Sequence, residues 1–108
     1  MSGPRLSPVT VDTLQILAAS IKTARLRKRW TIAQLAQRAG VSTPTMTKVE
    51  RADPGVAIGT VFETARLVGV PLFDADPQAV ARYGAHKRAE LALLPQSARL
   101  VSGVDDDF

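Results

Sequence analysis

No cysteine occurs anywhere in the 108 residues. That excludes disulfides and thiolate metal sites, and it fits an intracellular protein. Histidine is present once, as His86. One imidazole argues against a histidine metal cluster or a histidine-dependent nucleophilic triad within a single chain. Aromatic residues make up 5% of the sequence, against 45% hydrophobic residues in all. The core must therefore be built from Leu, Val, Ile and Ala, which favours small packed helices over a sheet sandwich. Long apolar runs are missing as well: nothing approaches the roughly 20 residues that cross a bilayer. Residues 1–10 lack the apolar centre of a secretory signal, so none is expected. Gly55 and Gly59 are not followed by the Gly-Lys-Ser/Thr ending of a phosphate loop. Asp74 and Asp76 flank a turn and read as helix-start residues. Glu63 and Glu90 read as solvated, and His86 with Lys87 and Arg88 as surface. Nothing supports catalysis, no cofactor is expected, and the expected location is the cytoplasm.

Acidic residues are scarce in one half only. Residues 1–60 hold nine Lys/Arg and three Asp/Glu, a net of +6. Residues 61–108 hold five and seven, a net of −2. Lys22, Arg25, Arg27, Lys28 and Arg29 fall within eight residues, directly before Trp30. Such a cluster is either a solvated helix end that suits the C-terminal dipole or a phosphate-contacting rim. Its neighbour in sequence favours the rim.

That neighbour is residues 30–51, which read as two short helices joined by a tight turn. Thr31 with Gln34 is a capping-box pattern, so Thr31 is the expected N-cap. Trp30 and Leu35 then take the two positions of a hydrophobic staple. Gly40 follows the last helical residue, where a left-handed backbone is cheap for glycine. Ser42 is the second N-cap, with Val41 and Met46 as a second staple. Pro44 falls where a missing N–H does little harm. Met46 and Val49 point inward, leaving Thr43, Thr45, Thr47, Lys48 and Arg51 outside. An ordinary helix pair in an all-α domain is the plain alternative. The short glycine-containing turn favours helix-turn-helix geometry, and the second helix shows no acid on its exposed face before Glu50.

Along the rest of the chain, residues 1–9 are expected to be a disordered arm. A first helix runs from Thr10 or Asp12 to about Arg29, with Leu14, Leu17, Ala18, Ile21, Ala24 and Arg25 on one face. Residues 52–55, Ala-Asp-Pro-Gly, form a turn. A fourth helix follows from Ile58 or Thr60 to Val68, with Ile58, Val61, Phe62, Ala65 and Val68 as its apolar stripe. Gly69 stops it, and Leu72 and Phe73 close the core. A fifth helix runs from Asp76-Pro77 to about Leu94. Residues 10–75, which hold the helix-turn-helix pair, are the expected DNA-binding domain, 76–95 a C-terminal helix suited to dimerisation, and 96–108 an acidic tail. The dimer surface is sought among Leu91, Leu93, Leu94, Leu100 and Val101.

The strings Leu17-x-x-x-Ile21-Lys22-x-x-Arg25, Thr31-x-x-x-Leu35-Ala36-x-x-x-Gly40-Val41-Ser42 and Lys48-Val49-Glu50-Arg51 resemble the phage-repressor-like, or XRE-type, helix-turn-helix family. The resemblance covers about residues 14–73. It implies an all-α, compact five-helix, lambda-repressor-like domain with a C-terminal extension, binding a double-stranded operator as a two-fold dimer. It implies a structural ion pair between Arg25 and Glu50. It places base contacts at Thr43, Pro44 and Lys48, with Thr47 nearby; lysine can donate to guanine, and threonine methyls or the proline ring can touch thymine methyl. Phosphate contacts fall to Ser42, Thr45 and Arg51, with Lys22, Arg27, Lys28 and Arg29 on the rim. Two departures stand out: Ile32 replaces a glutamine common in the family, and Arg29 replaces a common glycine.

Within the family, Ile21-x-x-x-Arg25-x-Arg27-x-x-Trp30-Thr31 with the two later blocks looks like HipB-type antitoxins. That implies a HipA-like serine/threonine kinase toxin as partner and repression of the shared operon. The alternatives are a stand-alone XRE-type regulator and a protein-interaction module that no longer reads DNA. The tail, Asp105-Asp106-Asp107-Phe108, offers charge and one apolar anchor for docking, or is a solubilising end.

Overall fold

Ser7, not Thr10 or Asp12, opens the first helix. In the computed structural model, which describes residues 5–97, α1 is Pro8–Arg27. The Ser7 hydroxyl accepts the Thr10 N–H at 3.3 Å, and Pro8 stands at the helix start, where its fixed φ suits a helix and its missing N–H is not needed. Pro8 is therefore a helix initiator, and Pro8 and Val9, expected in the arm, are helical. Met1–Pro4 of the expected arm lie outside the described residues. The other helices are α2 (Ile32–Ala39), α3 (Thr43–Glu50), α4 (Ile58–Val68) and α5 (Pro77–Ala92), with no strand among the described residues. Contacts divide the chain into two units, Met1–Leu72 and Phe73–Phe108.

Four helices end in one way. Beyond α2, Gly40 turns left-handed (φ 73°), its N–H meeting the Gln37 carbonyl while the Val41 N–H reaches Ala36. This paired closure satisfies the last orphan carbonyls. Gly69 (φ 86°) does the same beyond α4. Beyond α1 and α3 the position falls to Arg29 (φ 61°) and Ala52 (φ 60°), with the same two bonds. A side chain held there costs about 1–2 kcal/mol. Helix α1 therefore stops at Arg27 rather than Arg29, because Arg29 has already left the helical region. Ala52→Gly should raise stability by about 1 kcal/mol, since relief of strain outweighs the added freedom of the unfolded chain. Urea melts should show a higher midpoint at an unchanged slope; an unchanged midpoint would mean the turn carries no strain.

The core of the first unit is Ile21, Leu35, Ala36, Met46, Val49, Ala65 and Val68. Each comes from an inward stripe at helical spacing. Helices α1 and α2 both pack on α3 and α4. Leu72 packs at the edge of this core.

The expected stripe of α4 needs correction. Ile58 and Phe62 are exposed, and fully buried Thr64 takes their place beside Ala65 and Val68. Its hydroxyl donates to the Thr60 carbonyl at 2.7 Å, one turn back, so burial leaves no polar group unsatisfied. Ile58 is the first residue of its helix and does not pack against the core. Phe73 does not close the core either. It is 78% exposed and begins the second unit, its ring 6.1 Å from that of Tyr83.

In the second unit, Asp76 caps α5 by accepting the Gln78 N–H at 3.0 Å, and Asp74 accepts the Asp76 N–H at 2.8 Å. No residue of α5 is buried. The helix ends at Ala92, short of the expected Leu94, and Leu91, Leu93 and Leu94 are exposed. Leu100, Val101 and the acidic residues 105–107 with Phe108 lie outside the described residues.

Candidate nucleic-acid interface

The geometry of the helix pair starts with its caps. The Thr31 hydroxyl accepts the Gln34 N–H at 3.0 Å, and the Gln34 side chain accepts the Thr31 N–H at 2.8 Å. The Ser42 hydroxyl accepts the Thr45 N–H at 3.2 Å. Leu35 and Met46, the buried halves of the two staples, are fully enclosed, while Trp30 and Val41 pack against them from the edge. The angle between α2 and α3 is thus pinned from both sides of the Gly40 turn.

A third brace comes from α1. Arg25 donates from Nε to Glu50 Oε2 at 2.7 Å and from Nη2 to Oε1 at 3.0 Å. Its Nη1 donates to the Trp30 carbonyl at 2.9 Å. The two side chains are only 10% and 6% exposed. The hydrogen bond to Glu50 and its charge raise the Arg25 pKa further, against the opposing effect of burial. The guanidinium is always charged, so the pair ties the end of α1, the entry to α2 and the end of α3 into one rigid corner.

With Met46 and Val49 turned inward, the outer arc of α3 carries Thr43, Thr47, Arg51, Pro44 and Lys48, at successive helical angles. Thr43, Pro44, Lys48 and Arg51 are exposed, and Thr47 is half-buried. Glu50, the one acid of α3, is turned away into its pair with Arg25. Thr45 stands off the arc, half-buried, its oxygen accepting from the Ser42 hydroxyl at 2.9 Å.

A groove of about 440 Å³ lies beside this arc, with Lys22, Thr31, Ile32, Thr47 and Arg51 in its walls. Arg25 and Glu50 also border it and neutralise each other, so Lys22 and Arg51 set its charge. Ile32, where a glutamine was noted as usual, packs on the core and is half-buried. Arg27, Lys28 and Arg29 are exposed at the end of α1. Lys28 is partly engaged, its Nζ 5.3 Å from the Trp30 ring centre. Arg38 of α2, absent from the sequence-based candidates, lies 4.1 Å over the same ring. Trp30 stands outside the regular helix, so no periodicity announces that contact. Among the described residues, no ion pair engages Lys22, Arg27, Arg29, Lys48 or Arg51. Their field is uncompensated and favours a polyanion. No described helix is long and apolar enough to cross a membrane.

A tightly closed helix pair with an acid-free, cation-rimmed outer arc defines a DNA-binding domain of the helix-turn-helix class. The family model for the helix-turn-helix domain matches residues 16–78, and the chain belongs to that family, the type found in XRE-like regulators and antitoxins. No curated protein and no solved structure matches the chain.

Proposed function

We propose that the chain is a sequence-specific transcriptional repressor that binds a two-fold operator as a homodimer. The observation that carries this reading is the outer arc of α3, where Thr43, Pro44, Thr47 and Lys48 stand beside unpaired cations with no acid among them. Thr43, Pro44, Thr47 and Lys48 contact bases. Arg51, Lys22, Arg27, Lys28 and Arg29 contact phosphates, with Ser42 and Thr45 near the entry to α3. The exposed Val80, Tyr83 and Leu91 of α5 supply apolar surface for the dimer.

A gel shift against the chain's own promoter region tests the reading. Retardation at low salt is expected, with two half-sites about 34 Å apart in a footprint. No retardation would remove it. Lys48→Ala should cost about 1–3 kcal/mol on the operator and relax the preference at one base position. An equal loss on every sequence would reduce Lys48 to a phosphate contact.

The biological setting we propose is that of a HipB-type antitoxin, repressing its own operon and binding a HipA-like kinase. The support is the sequence block around Ile21, Arg25, Trp30 and Thr31. A kinase-like reading frame beside this gene is the expected finding. Its absence would favour a stand-alone XRE-type regulator with the same DNA interface.

A further inference from the structure

Helix α1 is apolar on two opposite sides. Its inner side, Leu17, Ala18, Ile21 and Ala24, packs in or against the core. On the far side Val9, Ile16 and Leu26 are 70%, 67% and 56% exposed. Ala19 and Thr23 between them are exposed too, as is Asp12. Positions 9, 12, 16, 19, 23 and 26 advance by alternating steps of three and four. They form a single straight seam about 26 Å long, the spacing by which one helix meets another.

We propose that this seam pairs with the same seam of a second copy, the two helices running antiparallel. The argument is register and charge. About a two-fold axis midway between Leu17 and Ala18, Val9 faces Leu26 of the second copy, Ile16 faces Ala19, and Asp12 faces Thr23. Every large apolar residue meets an apolar residue, and the carboxylate meets a hydroxyl. Asp12 is the one acid in α1, and Arg27 of the second copy lies one turn beyond Thr23. At the flanks Gln15 meets Lys22. The parallel arrangement fails on the same residues: Asp12 would face Asp12, and Lys22 would flank Arg27, both like-charge contacts. Helix dipoles also favour the antiparallel choice. This contact is separate from any dimer formed through α5; it leaves Thr43, Pro44, Thr47 and Lys48 clear and brings Lys22 and Arg27 of the basic rim to its edge.

The experiment uses the full chain. Ile16→Asp places a charge in the seam at an exposed position, so helix content by circular dichroism should stay the same. Sedimentation should show a smaller assembled species than the wild-type chain forms at the same concentration. Because the chain has no cysteine, introduced thiols are its only ones. An equal mixture of Ile16→Cys and Ala19→Cys chains should oxidise mainly to the mixed disulfide dimer, with less product from either chain alone. An unchanged mass for Ile16→Asp would overturn the proposal. So would a wild-type chain that stays monomeric, or cross-linking that favours Ile16→Cys with itself. Gel retardation of the same variants reads DNA binding separately, so failure of the seam and failure of the repressor reading can be told apart.

Discussion

Glu50→Ala should destabilise the domain by about 3–5 kcal/mol, because it strands a buried guanidinium whose partner is gone. That is a large share of the roughly 5–15 kcal/mol that holds a small domain together. Arg25 would keep only its bond to the Trp30 carbonyl, which cannot balance its charge. Urea denaturation should show a much lower midpoint, and DNA retardation should fall with it as the corner between α1, α2 and α3 loosens. The double replacement Arg25→Met with Glu50→Leu should recover most of the stability, since apolar groups of similar size need no compensation. If the double variant is as unstable as the single, the loss lies in packing and the pair itself contributes little. The pH behaviour of Arg25 has a definite sign. Its folded pKa is raised, so its contribution is complete below the unfolded pKa. That contribution is lost only as pH climbs through the folded value, above the ordinary arginine range. No loss of stability from Arg25 is expected anywhere between neutral pH and moderate alkali.

Raising salt from 50 to 200 mM should weaken operator binding by about 10⁴-fold. The reasoning is counterion release. Lys22, Arg27, Arg29 and Arg51, engaged by no ion pair among the described residues, would neutralise about four phosphates per protomer and about eight in the proposed dimer, and Lys28, shared with the Trp30 ring, adds less than a full contact. At about −0.9 per phosphate the logarithmic salt slope is near −7. Arg51→Gln, present in both protomers, should make that slope shallower by about 2. Its effect should be uniform across operator sequences, in contrast to Lys48→Ala. Affinity that barely changes with salt would mean that the basic rim does not touch the backbone.

Much of this was legible in the sequence because it is local. Thr31 and Gln34 are three residues apart, as are Ser42 and Thr45, and a cap is complete within one turn. Gly40 and Gly69 each end a helix by a property of the residue itself. Misreadings arose where the signal was local but ambiguous. Pro8 could be a breaker or an initiator, and Ser7 in front of it decides. Arg29 looked helical, since nothing in its side chain announces a left-handed backbone.

Helix count, the two caps and the glycine turn of the helix-turn-helix pair were determined by the sequence alone, because each depends on residues within about four positions of one another; the fold class followed from the family resemblance. The tertiary structure alone decided which apolar residues are enclosed: Thr64 is buried while Ile58, Phe62 and Phe73 are not. It also decided which cations are left free. Arg25 reaches Glu50 across 25 positions, Arg38 and Lys28 lie over the Trp30 ring, Arg66 and Lys87 pair with Glu63 and Glu90, and Lys22, Arg27, Arg29, Lys48 and Arg51 are in no ion pair among the described residues. The physical reason is that enclosure and charge pairing depend on distance in space, which chain spacing does not specify beyond one helical turn.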